Sequence, residues 1–179
     1  AKHNGFSDSH ISYLTGKKEE TIRNQRKRMN ITSSFLMVDT CAGEFEAKTP
    51  YFYSTYSDQK SEYKIGKSIV ILGSGPIRIG QGIEFDYSTV HGVQAVRKAG
   101  YEAVVVNNNP ETVSTDFDAS DRLYFEPLDA ESVFEILDAE KPYGIILQLG
   151  GQTSVNLASE VRSEERRVGK EFRSRWSPY

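Results

Sequence analysis

Residues 68–82 read SIVILGSGPIRIGQG, a β-branched apolar run from Ser68 to Leu72 that opens without a spacer into a glycine-rich turn. A short run that is apolar on both alternating faces predicts a strand buried inside a parallel sheet. The turn leads into a helical pattern over Ile83–Lys98, with Val90, Val93 and Val96 as core-facing candidates and Gly100 as the stop signal. A strand, a glycine turn and a helix in that order expose backbone N–H groups at a helix N-terminus, which suits an anion or a phosphate. The glycines are equally explained by a tight turn and close helix packing. A dinucleotide-binding fingerprint needs a third glycine at position 78, where Arg78 stands, and an acidic residue at the end of the second strand, where Asn107, Asn108 and Asn109 stand. The unit is therefore Rossmann-like without the signature for NAD.

The same alternation continues downstream. Ala103–Val106 reads as a second buried strand and Leu123–Phe125 as a third, ended by Pro127. Asp129 caps a helix with Val133, Ile136 and Leu137 on one face, and Pro142 closes it. Tyr143–Leu149 is the fourth strand, followed by Gly150, Gly151 and a helix that starts at Thr153 or Ser154. Upstream the texture differs. Ser7 or Asp8 caps a short helix through Leu14, Thr15-Gly16 is a turn, and Lys18–Met29 is a strongly charged helix. Phe35–Tyr56 holds no period for long and is rich in aromatics, so it is expected to pack against something other than a core of its own. Residues 58–66 read as a linker. The expected fold is α/β, a Rossmann-like parallel sheet over residues 64–161 preceded by a partial helical segment in residues 1–57.

The chain has 179 residues, 37% hydrophobic and 26% charged, in the range of one or two small globular domains. It contains no apolar run of about 18 residues that could cross a membrane as a helix. Residues 1–5 match neither a signal peptide nor a transit peptide and carry no initiator Met, so the true N-terminus is expected to lie upstream. A lone cysteine, Cys41, excludes an internal disulfide and a Cys-rich zinc site, suits a reducing cytoplasm, and reads most simply as a small hydrophobe. His3, His10 and His91 are isolated, so neither a metal site nor a catalytic group is expected.

Charge is unevenly spread. Residues 162–179, RSEERRVGKEFRSRWSPY, hold six Lys/Arg and three Glu; removing them from the 22 basic and 25 acidic residues leaves 16 and 22, a net charge of −6. Read literally, this tail is a disordered basic arm for nucleic acid. The string also resembles the conceptual translation of a sequencing adapter, departing from it at Phe172, and on that resemblance residues 162–179 are expected to be disordered and foreign to the gene. A second nucleic-acid reading comes from the pair of helices around Thr15-Gly16, whose second member bears Arg23, Arg26, Lys27 and Arg28 and imitates a helix-turn-helix. The acidic remainder of the chain opposes it.

Four longer strings carry more information: IGQGIEFDY at 79–87, NPETVSTD at 109–116, SDRLYFEP at 120–127 and GGQT at 150–153. Three of them fall beyond the carboxyl ends of predicted strands, where ligand routes gather in an open parallel sheet. Together they resemble the large subunit of the carbamoyl-phosphate synthetases, and GPIRIGQGIEFDY with NNNPETVSTDFDASDRLYFEP looks like that subunit's second, carbamate-phosphorylating half. GFSD at 5–8, VDTCAGEF at 38–45 and YSTY at 53–56 resemble the end of its oligomerisation domain and the following linker.

The resemblance implies a pre-ATP-grasp domain from a cytoplasmic ligase that makes carbamoyl phosphate from bicarbonate, ammonia and ATP, for arginine or pyrimidine synthesis. It implies a glutaminase small subunit as partner, ATP-grasp domains on the same chain that bind ATP and Mg (or Mn), and a homo-oligomeric parent. The domain itself would be scaffold and carbamate-tunnel wall, with Arg78, Gly82, Glu84 and Glu111 as tunnel-lining candidates and with no catalytic, cofactor or metal-binding residue. Simpler roles for these positions are an ion pair of Arg78 with Glu84 or Asp86, a turn at Gly82, and a helix cap at Glu111. The alternative to the synthetase reading is a free-standing Rossmann-like nucleotide-binding module.

Overall fold

The computed structural model describes residues 1–45, 49–57, 66–75 and 83–168, the last five by their backbone alone. Six strands form one sheet in the order β1-β2-β5-β4-β3-β6: β1 Ser34–Met37, β2 Tyr51–Thr55, β3 Ser68–Leu72, β4 Glu102–Val106, β5 Arg122–Tyr124 and β6 Gly144–Ile146. All neighbours are parallel except the β1–β2 pair. The fold is α/β and Rossmann-like, with β3 central, β4 and β5 stepping to one side of it and β6 on the other.

The central strands are buried on both faces, as their unbroken apolar runs require. Val70, Leu72, Val104, Val106 and Tyr124 face α4 (Ala130–Glu140) through Val133 and Ile136, and reach Leu157 and Val161. Ile71, Ala103, Val105 and Leu123 face the other way, onto Val93 and Val96 of α3 (Glu84–Lys98). Val70–Leu72 and Ala103–Val106 are fully buried, each larger side chain contributing about 1.5–3 kcal/mol. Val90 is only half-buried.

Several boundaries differ from expectation. β5 runs over Arg122–Tyr124, one residue earlier than expected, although the Phe125 N–H still reaches the carbonyl of Phe52. β6 is shorter: after Ile146 the chain leaves the sheet and turns through a 3-10 segment at Gln148–Gly150. The helix after it begins at Gln152 (α5, Gln152–Asn156), and α6 (Ala158–Val168) continues through residues 162–168. Those seven residues are helical and not disordered, as their content of Glu and Arg, both strong helix formers, allows.

Residues 1–57 add more than a helical segment. The helices are present, α1 at Asp8–Thr15 capped by the Ser7 hydroxyl and α2 at Glu19–Arg28. The aromatic stretch beyond them forms the β1–β2 hairpin, and β2 extends the main sheet by pairing with β5. Its aromatics find their partners across that seam: Phe35 meets Tyr124 edge-on at 4.9 Å, Phe52 lies 5.5 Å from Tyr124, and Tyr51 lies 5.2 Å from Phe125.

Buried charges bind the same junction. Arg26 of α2 donates to Asp8 (Nη2–Oδ2 3.0 Å), to Glu135 of α4 (Nη2–Oε1 2.7 Å) and to the carbonyl of Ile31 (2.9 Å). Glu131 of α4 accepts from the backbone N–H of Asp8 at 2.6 Å, from Tyr56 and from Lys2. Further along, Arg122 grips the fully buried Glu140 with Nε and Nη2 at 2.8 and 2.9 Å, and the Tyr124 hydroxyl donates to the same carboxylate.

Removal of Arg26 leaves Asp8 and Glu135 buried without their main counter-charge, so Arg26→Met is expected to cost about 3–5 kcal/mol in urea unfolding. Glu126, buried on the β2–β5 seam against the Ser54 N–H, has its pKa raised, first of all by desolvation. A raised carboxyl pKa gives stability at low pH that is lost as pH rises through the folded-state value. Melting temperatures of Glu126→Gln and the parent should therefore diverge in favour of the variant as pH rises from the ordinary carboxylate range to 7.

Candidate functional site

The loops after β3, β4, β5 and β6 all leave the sheet at its carboxyl edge, and the strand order reverses between β3 and β6. In such sheets that reversal opens the crevice that takes a ligand. Here the chain fills it with its own backbone. Gly150 lies against the carbonyl of Gly73: a Cβ added at position 150 would sit 2.1 Å from that oxygen. The Ser154 hydroxyl donates to the same oxygen, and the ring of Phe85 lies 2.9 Å from where a Gly151 Cβ would be. Gly151 has φ +70, a value open to glycine at little cost. The GGQT string thus closes the β3–β6 crevice.

The end of β4 is also turned to structural use. Asn107 stands where a dinucleotide fold keeps its ribose-binding carboxylate, and it is fully buried. Its Oδ1 accepts the N–H of Gly75 at 3.1 Å and that of Asn109 at 3.5 Å, which ties the two loops together. A Cβ on Gly73 would lie 2.8 Å from the Asn107 amide, so the glycine is needed to admit the asparagine.

Beside this closed crevice a cleft of about 340 Å³ remains between Ser74, the start of α3 and the loop Pro110–Asp116. Asp86 holds its two sides together. Its carboxylate accepts the N–H groups of Val113 and Ser114 at 3.0 and 3.1 Å, capping the 3-10 turn Val113–Thr115 from a separate helix. Below it the hydroxyl of Thr115 donates to the carbonyl of Thr112 at 2.8 Å. Among the described residues the lining carries three carboxylates, Asp86, Glu111 and Asp116, and no basic group.

Of the four residues named from sequence, Glu111 lines this cleft, and Glu84 stands exposed on the first turn of α3, between the lining residues Ile83 and Asp86. Arg78 and Gly82 lie outside the described residues. Glu111 does not cap a helix through its side chain; Asp86 takes that role for the turn that follows. Nothing in the spacing of Asp86 and Val113 announces their pairing, because it spans 27 residues and depends on α3 lying against the β4 loop. No group of three or more His, Cys, Asp or Glu among the described residues could hold a metal ion.

A family model for the carbamoyl phosphate synthase pre-ATP-grasp domain matches residues 65–172, more than half of the chain. The chain belongs to that family. The matched span begins just before β3 and covers the glycine turn, Asp86, the NPETVSTD loop and the GGQT plug, and it continues through α6 to residue 172. The pre-ATP-grasp domain is thus a Rossmann-like sheet within a ligase family, with its switch-point crevice closed and an acidic cleft open beside it. In this chain no described helix is long and apolar enough to cross a membrane.

Asp86→Ala strips two backbone N–H groups, one of them on the buried Ser114, of their acceptor. The expected cost is about 1–3 kcal/mol, and amide hydrogen exchange at Val113 and Ser114 should accelerate well before exchange in β3 and β4 does. Equal protection of these two amides in the variant and the parent would show that the cleft's sides are held by something else.

Proposed function

We propose that this domain is scaffold and conduit wall in the second, carbamate-phosphorylating half of a glutamine-dependent carbamoyl-phosphate synthetase, and that it makes no carbamoyl phosphate alone. In this reading ammonia comes from a glutaminase subunit, and ATP with Mg or Mn is bound by ATP-grasp domains elsewhere on the parent chain. The parent is a cytoplasmic homo-oligomer. The single observation that carries the proposal is the closed crevice. With Gly150 and Ser154 packed on the Gly73 carbonyl, the β3–β6 switch-point crevice is filled by protein there.

The free-standing nucleotide module therefore has no support from the β3–β6 edge. Three of the four basic residues on the helix that imitates a DNA reader are engaged within the fold: Arg26 is buried against Asp8 and Glu135, Arg23 stacks on Phe134 at 4.4 Å and Lys27 pairs with Asp138 at 2.7 Å, while Arg28 is exposed. What stays open is the cleft at the carboxyl edge, which suits passage of a small polar species better than its retention. Among its described lining residues Asp86 is already engaged by backbone N–H groups and no basic side chain is present to hold an anion.

Two measurements test this. Calorimetric titration of the 179-residue chain with ATP and with NAD should show no specific heat. In a complete large subunit carrying these residues, Glu111→Trp should leave bicarbonate-dependent ATP cleavage and the phosphorylation of added carbamate within about twofold of the parent, yet lower overall synthesis at least about tenfold. Retention of full coupling in that variant would remove the cleft from the route.

A further inference from the structure

Ahead of α1 the chain makes one 3-10 turn, Lys2–Asn4, that closes on Gly5. Asn4 is exposed, and its side chain makes no hydrogen bond among the described residues. Of the seven asparagines in the sequence, Asn4 alone is followed by glycine. The main-chain nitrogen after an asparagine can attack the side-chain carbonyl carbon, closing a five-membered ring and expelling ammonia. Water then opens the ring at either carbonyl, giving aspartate or isoaspartate. A side chain on the following residue obstructs the attack, and glycine has none. The space is open here as well, because a Cβ built on Gly5 would meet no atom within 4 Å. The Gly5 N–H donates to the carbonyl of Lys2 at 2.9 Å, so the turn must open before its nitrogen can react. A three-residue turn with no buried residue opens at little cost.

The product matters because of Lys2, two places earlier. Lys2 reaches from this turn to Glu131 of α4 and, at 3.3 Å, to Asp8, and its ammonium stands 5.1 Å from the centre of the Tyr56 ring. Its side chain is only 9% exposed. Glu131 also accepts the N–H of Asp8 at 2.6 Å, so the turn, the start of α1 and α4 share one carboxylate. Isoaspartate carries the backbone through the side-chain carbon and lengthens it by one carbon between positions 4 and 5. Either product also puts a new negative charge on the turn that presents Lys2.

We propose that Asn4 is a site of spontaneous deamidation, and that isoaspartate there loosens the hold of Lys2 on Asp8 and Glu131. The joint between α1 and α4 then carries a slow chemical timer that runs without an enzyme. The conduit reading is neither needed for this nor tested by it.

The folded 179-residue chain is aged in mildly alkaline buffer and digested, and mass spectrometry follows amide-to-acid conversion at Asn4 and at two other exposed asparagines, Asn30 and Asn156. Asn4 should convert at least about tenfold faster than either. Its rate should rise with hydroxide, because the attacking nitrogen must lose its proton. Two acidic products should appear, one of them a substrate for an isoaspartyl methyltransferase. A synthetic peptide of residues 1–12 gives the rate of the unrestrained chain, and the folded chain should lie within about tenfold of it. Amide exchange across α1 should be at least about threefold faster in the aged chain than in the fresh one, with β3 and β4 unchanged. Asn4→Gln should age without that change, and Asn4→Asp, which adds the charge on an ordinary backbone, should show less of it.

Equal conversion at the three asparagines overturns the site, as does protection of Asn4 by more than about a hundredfold relative to the peptide. Unchanged exchange in α1 after full conversion overturns the loosening, as does the same acceleration in aged Asn4→Gln.

Discussion

Space around the carbonyl of Gly73 sets the rest of the architecture. Its own N–H continues the ladder to Val106, its missing side chain admits the Asn107 amide, and its oxygen receives the Ser154 hydroxyl while Gly150 presses on it from above. Three segments far apart in sequence therefore meet at one peptide, and a β-carbon on Gly73 or Gly150 is sterically excluded there. The same crowding that locks β3, β4 and β6 into register abolishes the crevice their topology would otherwise create. A fold widely used to hold nucleotides here has its β3–β6 crevice filled by its own chain.

The attachment of the N-terminal segment follows a different logic. Asp8, Arg26 and Glu135 are all buried, and together with Lys2 and Glu131 they make a network with more acidic than basic members. Such a network contributes little net stability over a well-packed apolar equivalent, but it is unforgiving of a misplaced partner. It fixes α1 and α2 on α4 in one arrangement, while the aromatic contacts of Phe35 and Phe52 with Tyr124 supply the apolar burial. Glu140, held by Arg122 and Tyr124, repeats the device at the opposite end of α4. Both clusters anchor the same helix, so α4 is the brace between the hairpin side of the sheet and its centre.

The parts that were legible from sequence are those whose cause is local. Val70, Val104 and the apolar positions of α4 announce themselves through periodicity, and Ser7 and Asp129 through cap chemistry borne out at 3.1 and 2.8 Å. β1 and β2 were not legible because their aromatics answer to Tyr124 and Phe125, about 70 to 90 positions downstream, and so follow no period of their own. The site divides along the same line. Glu111 and Glu84 could be named because long motifs surround them, whereas Asp86 entered only as an ion-pair partner for Arg78. Its actual partners are two amides that only the tertiary fold brings near.

The contrast between the two acidic residues nearest each other in role is informative. Asp86 accepts at both oxygens from backbone donors and so behaves as part of the scaffold. Glu111, by contrast, lines the cleft from an exposed position, its backbone N–H donating to the side chain of Asn109. Hydrogen bonds from neutral amides leave the charge of Asp86 in place, so the described lining residues present three carboxylates that together repel anions and attract cations.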